Sequence, residues 1–369
     1  MNKPNRYSPT LKYLTHIFCI IIGLTFIVSG FTKTIDPWGT AVKFEEYFTA
    51  YGFDSMLPLS QILAVWLCGA ELMMGCMILC RVRLRLISIF ALISMIIFTI
   101  VTILSVTIFP VDDCGCFGET FYLTPWQTLA KNLILLPMIF TVWWRYRPDK
   151  IFVFKLREVI VGAIFFVVTM SFSAYNYLHL PMIDFLPFKV GVNLLEAVEA
   201  TTSDMEYSVI LVYRNITTGK LHEFTIEDTE WQDADIWEWV ETRTNTADRS
   251  YTGSVSDFSI LSSSGGDVTK DLLSSGGELN IITVTKFNKI RNKCEKRLEK
   301  FVSKAEVDGD HTIIITPQKL ISPYYNIGGH EIECFNIDAT TLKSIIRASS
   351  GIVELSDGVI TSKRSCIDL

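Results

Sequence analysis

The chain has 369 residues, 49% of them hydrophobic, and a mean hydropathy of +0.34, too apolar for an ordinary soluble protein of this length. A formal net charge of −6 and a pI near 5.5 argue against a nucleic-acid partner, which calls for a basic surface. Nine cysteines are too few and too scattered for a disulfide scaffold.

Met1 to Lys12 is short, polar and basic. Tyr13 to Phe31 is apolar and close to the roughly 20 residues that cross a bilayer. It lacks a clear small-residue cleavage site and similar segments follow it, so it reads as a first transmembrane helix rather than a signal peptide. Thr32 to Pro58 is a polar, aromatic connection containing Lys33 and Asp36-Pro37-Trp38, with a short amphipathic helix expected over Lys43 to Tyr51. Leu59 to Cys80 is a second span and carries Glu71 near its middle. Arg81, Arg83 and Arg85 form a basic turn before a third span, Leu86 to Phe109. The loop Asp112-Asp113-Cys114-Gly115-Cys116-Phe117-Gly118 follows. Pro125 to Trp144 is a fourth span, with Pro125 in its first turn and Lys131-Asn132 inside it. A second basic connection, Arg145 to Arg157, leads to a fifth span, Val159 to Leu178.

Three basic clusters fall on one side of this arrangement. The positive-inside rule makes that side cytoplasmic. The Cys-Gly-Cys loop, the Thr32 to Pro58 connection and everything after Leu178 are then expected outside.

From about Pro187 the chain turns polar and acidic, with strand-like runs. Tyr207 to Tyr213 and Lys220 to Ile226 flank a turn and read as a hairpin. Asn280 to Thr285 is a strand, Phe287 to Ala305 a helix, Thr312 to Thr316 a strand and Thr340 to Ala348 a helix. Gly351 to Leu355 and Val359 to Ser362 flank Ser356-Asp357-Gly358, a strong hairpin signal. The order suggests an α/β sandwich. The expected fold is therefore mixed: a transmembrane four-helix bundle (1–147), a fifth transmembrane helix with linker (148–186), and an α/β domain (187–369).

Cys114 and Cys116 are the leading chemical candidates. In an oxidising compartment they can form a disulfide or exchange with a partner. A bridge across one residue closes a very small ring, which Gly115 eases through its backbone freedom. Such a strained bridge suits a catalytic rather than a structural disulfide. A static bridge and half of a metal site are the alternatives, and no histidine nearby supports a metal. Asp112 and Asp113 disfavour a thiolate, which Lys33 would offset if the first external loop folds over. Glu71 inside a span needs a partner, and Lys131 is the candidate. The pair either handles protons or simply fixes helix packing. Trp38, Trp66, Trp126, Trp143 and Trp144 suit interfacial belts. Cys19, Cys68, Cys76 and Cys80 lie in apolar runs as packing residues. Cys294, Cys334 and Cys366 have no evident pairing.

On Ser29-Gly30-Phe31-Thr32-Lys33 with Asp36-Pro37, Gly69-Ala70-Glu71 with Gly75, Cys114-Gly115-Cys116-Phe117-Gly118 and Lys131-Asn132, the segment Leu11 to Tyr146 resembles the DoxX-like membrane proteins, specifically the branch of the methylamine-utilisation protein MauE. The resemblance implies a four-helix bundle in the cytoplasmic membrane and a role in periplasmic thiol–disulfide chemistry. Cys114 and Cys116 would be the redox pair, supported by Gly115, Phe117, Gly118, Lys33, Asp36, Glu71, Lys131 and Asn132. The plan is similar to quinone-linked vitamin K epoxide reductase-like proteins, which makes a membrane quinone the candidate electron acceptor. A periplasmic thiol or disulfide protein would be the partner, alongside membrane lipid. The second half resembles a degenerate thioredoxin-like domain, as in fused DoxX-family proteins of Bacteroidetes. It lacks Cys-x-x-Cys before Cys294, and Ser349-Ser350 stand where that fold has a proline. It therefore reads as a docking domain. Two rivals remain: a non-catalytic membrane scaffold in which Cys114 and Cys116 lock a loop, and a small-molecule carrier using Glu71 and Lys131.

Overall fold

The structure, a computed structural model, describes residues 9–107, 115–120, 123–146, 155–206, 209–216, 220–225, 233, 236–244, 258–290, 292–320 and 322–369. Cys114, Asp112 and Asp113 lie outside the described residues. The chain divides into two compact units, Met1–Phe185 and Leu186–Leu369.

The first unit contains α1 (Pro9–Ile35), α2 (Pro37–Ala50), α3 (Ser60–Leu79), α4 (Leu84–Thr107), the short strand β1 (Cys116–Glu119), α5 (Pro125–Tyr146) and α6 (Leu156–Leu178). Among the described residues, four segments are long and apolar enough to cross a membrane: Thr10–Ile35, Asp54–Leu79, Leu84–Thr107 and Leu156–Leu178. The expected fourth span, α5, is long enough but is not among them. Gln127, Lys131, Asn132 and Arg145 dilute its apolar character. Its start is well specified. Thr124 and Gln127 form a reciprocal capping box, with Thr124 N–H donating to Gln127 Oε1 at 3.0 Å and Gln127 N–H to Thr124 Oγ1 at 3.3 Å.

A shared core of α1, α3, α4 and α5 is built from Ile22, Phe26, Met74, Ile78, Ala91, Met95, Leu135 and Ile139. The outward faces are also apolar: Ile17 and Leu24 on α1, Ile97 and Ile100 on α4, and Val167 and Val168 on α6 are exposed. Helices apolar all round suit a lipid surround rather than water.

The antiparallel pair α1 and α3 is the tightest contact in the bundle. Glycine makes it possible. A Cβ on Gly30 would lie 2.3 Å from Leu72 N, and one on Gly75 would lie 2.6 Å from Ile27 N. Small residues let membrane helices approach backbone to backbone. At one end of the pair Arg81 Nη1 lies 2.7 Å from His16 Nε2.

Helix α6 is tied to the others by polar contacts. Asn176 Nδ2 donates to Thr34 O (2.9 Å), Ser173 Oγ to Val65 O (3.0 Å) and Tyr177 OH to Gln61 Oε1 (2.8 Å). Trp38 corrects the belt assignment. It is buried, stacks on Tyr177 at 5.2 Å and donates its indole N–H to Tyr177 O at 3.0 Å. Trp66, Trp126 and Trp144 remain exposed as a belt requires. Helix α2 is longer than expected because Asp36 caps it, its Oδ1 accepting from Gly39 N–H at 3.0 Å.

In the second unit, after α7 (Leu194–Glu206), strands β2 (Val209–Asn215), β3 (Leu221–Thr225) and β4 (Trp237–Thr244) form an antiparallel sheet in the order β3-β2-β4. The expected hairpin is β2–β3. A six-stranded sheet then uses β5 (Glu278–Val284), β6 (His311–Thr316), β7 (Tyr324–Ile327), β8 (His330–Asn336), β9 (Ser350–Ser356) and β10 (Val359–Ser365), in the order β10-β9-β5-β6-β8-β7. Strands β5, β6 and β8 are parallel neighbours, while β9 runs antiparallel to β5. Helix α8 (Thr269–Leu273) precedes β5, α9 (Asn292–Asp308) links β5 to β6, and α10 (Ala339–Ile345) links β8 to β9. Strands β5 and β6 are buried along most of their length because both faces are covered, with the isoleucines Ile281, Ile282 and Ile313 to Ile315 at their centres. The β9–β10 turn places Asp357 and Gly358 at φ +48° and +79°, the left-handed pair a two-residue hairpin demands. Cys294 and Cys366, which the sequence left unpaired, form a disulfide with a Cα–Cα distance of 5.5 Å.

Replacing Gly30 by alanine should force α1 from α3 and destabilise the bundle by about 1–3 kcal/mol or more. The thermal midpoint of the detergent-solubilised protein should fall, whereas Gly162→Ala, where a Cβ would meet only Met77 Cε at 3.4 Å, should be far milder.

Candidate functional site

The site grows from the α1–α3 contact. Because Gly30 brings α3 close, Lys33, three residues further along α1, reaches Glu71 on α3. Lys33 Nζ donates to Glu71 Oε2 at 2.8 Å and to Oε1 at 3.1 Å. Both side chains are nearly inaccessible, at 6% and 2% exposure. The Glu71 partner is therefore Lys33, not Lys131 as expected. Both lysines follow from the same rule that an intramembrane carboxylate needs a cation. Only packing decides which one faces it.

Ser29, one turn before Lys33 on the same helix face, completes the group. Its Oγ lies 3.2 Å from Glu71 Oε2 and 2.6 Å from the carbonyl oxygen of Cys116. With one hydrogen to donate, the hydroxyl serves one acceptor at a time, and the shorter distance favours Cys116 O, which seats the cysteine loop beside the buried charge pair. Phe98 of α4 stacks under Lys33, with Nζ 5.4 Å from its ring centre. Phe98 was not singled out in the sequence, and Ser29 only as part of the Ser29–Lys33 string, with no role given to it. The recurrence of Ser29 at i−4 from Lys33 was the available signal for that role.

The described part of the loop is a tight turn. Gly115 and Gly118 sit at φ +60° and +58°, and Gly118 N–H donates to Gly115 O at 3.2 Å. Gly118 also lies against the α1 backbone, where a Cβ would be 3.5 Å from Thr32 O. Glycine suits both positions through the backbone angle. Cys116 carries a half-buried free thiol within electrostatic reach of Lys33.

The remaining expected residues fall into place around this group. Lys131 covers the Phe117 ring, Nζ 4.9 Å from its centre. Asp36 caps α2. Asn132 is buried on the inner face of α5, and its Nδ2 has no hydrogen-bond partner, nor has Oγ1 of Thr128 one turn earlier. Cys68, read as a packing residue, is fully buried, and its thiol meets Thr40 Oγ1 at 3.4 Å.

Apolar helices with a buried ion pair under a polar loop define this unit as a multi-pass helical membrane protein. Residues 11–145, which include Lys33, Glu71 and the Cys-Gly-Cys loop, match the model of the family described as Methylamine utilisation protein MauE. No curated protein and no solved structure matches the chain.

Removing either partner leaves the other charge buried and uncompensated, which costs about 3–5 kcal/mol. Lys33→Met and Glu71→Leu should each lower the thermal midpoint more than the double variant does. A double variant that loses the sum of the two would refute the pairing.

Proposed function

We propose that the chain is a thiol–disulfide oxidoreductase of the cytoplasmic membrane, with Cys114 and Cys116 as its redox pair on the outer face. One observation carries the reading. The Cys116 backbone is held by the Ser29 hydroxyl, which donates to Cys116 O at 2.6 Å directly beside the buried Lys33–Glu71 pair. A loop that merely connects two helices has no need of a costly intramembrane charge pair at its root.

The chemistry is a two-electron exchange. A partner dithiol attacks the Cys114–Cys116 disulfide, that bond breaks, and the partner leaves as a disulfide while both cysteines become thiols. Lys33 offsets the negative charge that Asp112 and Asp113 bring to a developing thiolate. Glu71 holds Lys33 in place, and Ser29 fixes the loop against α1. The unpartnered donors of Thr128 and Asn132 suit the carbonyl oxygens of a membrane quinone. When bound, a quinone supplies a two-electron acceptor.

The outer position of the loop rests on charge. Arg81 and Arg83 lie between α3 and α4, Arg85 is in the first turn of α4, and Arg145 is in the last turn of α5, at the end of the bundle opposite the loop. The positive-inside rule makes that end cytoplasmic. Five spans are proposed, α5 among them, because Trp126, Leu133, Ile134 and Phe140 present an exposed apolar face. In the second unit, β5–α9–β6 in parallel followed by the antiparallel β9–β10 hairpin supports a thioredoxin-like reading. We read that unit as recruiting the thiol partner.

The test is thiol trapping of Cys114 and Cys116 in native membranes from respiring and quinone-depleted cells. The pair should shift to thiols when quinone is withheld. Cys114→Ser and Cys116→Ser should each abolish oxidation of the partner at normal abundance. A pair that stays oxidised in both conditions, with abundance lost on substitution, would instead identify a scaffold with a structural bridge.

A further inference from the structure

The second unit holds a cysteine pair of its own. Cys294 lies in the first turn of α9, and Cys366 follows β10. The two sulfurs are unequal. Cys294 is half-buried and Cys366 is buried. An incoming thiol therefore meets Cys294, while Cys366 is shielded.

The surroundings favour a Cys294 thiolate once the bond is open. The field of a 17-residue helix stabilises negative charge at its N-terminal end. Ser350 Oγ lies 3.3 Å from Cys294 Sγ. Lys293, Lys296 and Arg297 flank it in sequence, against the single carboxylate Glu295.

The Cys366 segment, moreover, is held without the disulfide. Cys366 N–H donates to Ser350 O at 3.0 Å, and Arg297 Nη1 donates to Cys366 O at 3.0 Å and also to Ile367 O. Ser365 Oγ donates to Asp368 Oδ2 at 2.6 Å, and Leu369 packs on the domain core. A bridge whose only task is to tether this segment is redundant with these contacts. A bridge that opens and closes needs them, because they keep Cys366 facing Cys294 in the reduced state.

We propose that Cys294–Cys366 is a second, exchangeable redox pair, with Cys294 the attacked and attacking sulfur and Cys366 the resolving one. A dithiol partner is its electron donor. One partner thiolate attacks Cys294 Sγ, the Cys294–Cys366 bond breaks, and Cys366 leaves as a thiolate and takes a proton. The partner's second thiol then attacks its own sulfur in the mixed disulfide, and Cys294 is released. Two electrons and two protons pass to the pair, and the partner leaves as a disulfide. The reverse sequence with a partner disulfide restores the bond. This proposal stands apart from the Cys114/Cys116 reading and survives its failure.

The test uses the full chain in membranes equilibrated with graded ratios of reduced to oxidised glutathione. It is then pulsed with iodoacetamide at pH 7 and mapped by peptide mass. Cys334 is the internal control: burial pushes its thiol up to about 11, and it should stay unlabelled. Cys294 should become reactive at an intermediate glutathione ratio, at least about tenfold faster than Cys334, which matches the lowered pKa of helix-terminal thiols. Protease resistance of the domain should be unchanged. Cys366→Ser should accumulate glutathione as a mixed disulfide on Cys294. A wild-type pair that stays oxidised at every ratio, or that opens only as protease resistance is lost, would overturn the proposal. Either result reads on the unmodified protein, so a folding defect in the Cys366→Ser variant does not obscure it.

Discussion

A lysine and a glutamate buried among apolar helices hold one another in place, and most of the first unit follows from that pairing. Neither charge tolerates the interior alone. Their meeting requires α1 and α3 to lie backbone against backbone, which is why Gly30 and Gly75 stand where any Cβ would collide with the facing helix. The same contact sets Ser29 beside Glu71 and under Cys116. One electrostatic requirement thus positions the loop relative to the helices.

The second unit is stabilised differently. Its central strands are covered on both faces and need no internal charge. Ile281, Ile282, Ile313, Ile314 and Ile352 are almost wholly buried. Its cross-link joins a buried member of the core, Cys366, to the half-buried Cys294 packed against it. Arg297 and the Ser350 backbone hold the same segment independently. A segment held by these contacts as well as by the bridge stays in place when the bridge opens, as the proposed exchange requires.

Much of this architecture was legible in the sequence. The apolar runs located α1, α3, α4 and α6 to within a few residues, since bilayer thickness sets the length of such a run. The Ser-Asp-Gly turn announced β9–β10 because only left-handed residues close a two-residue hairpin. Strands β7 and β8 escaped notice, since Tyr324 to Asn336 mixes polar residues with Gly328-Gly329 and reads as a loop. Its only apolar burial is at Ile327, Ile332, Cys334 and Phe335. Trp38 was misplaced for a related reason. An aromatic residue near a span end suits an interfacial belt, and the contact with Tyr177, 139 residues away, has no local signature.

What the sequence determined alone was chemical necessity: that these helices face lipid, that Glu71 needs a cation, and that a Cys-Gly-Cys turn needs its glycines. What tertiary structure decided was partnership. Lys33 and Lys131 were equivalent candidates by residue type, and the glycine-mediated approach of α1 to α3 chose Lys33. Cys294, Cys334 and Cys366 were equally solitary in the chain, and the crossing of α9 with the end of β10 joined two of them. Residue type limits which interactions a group must find. Which neighbour supplies them depends on contacts between segments far apart in sequence, and those exist only once the chain is packed.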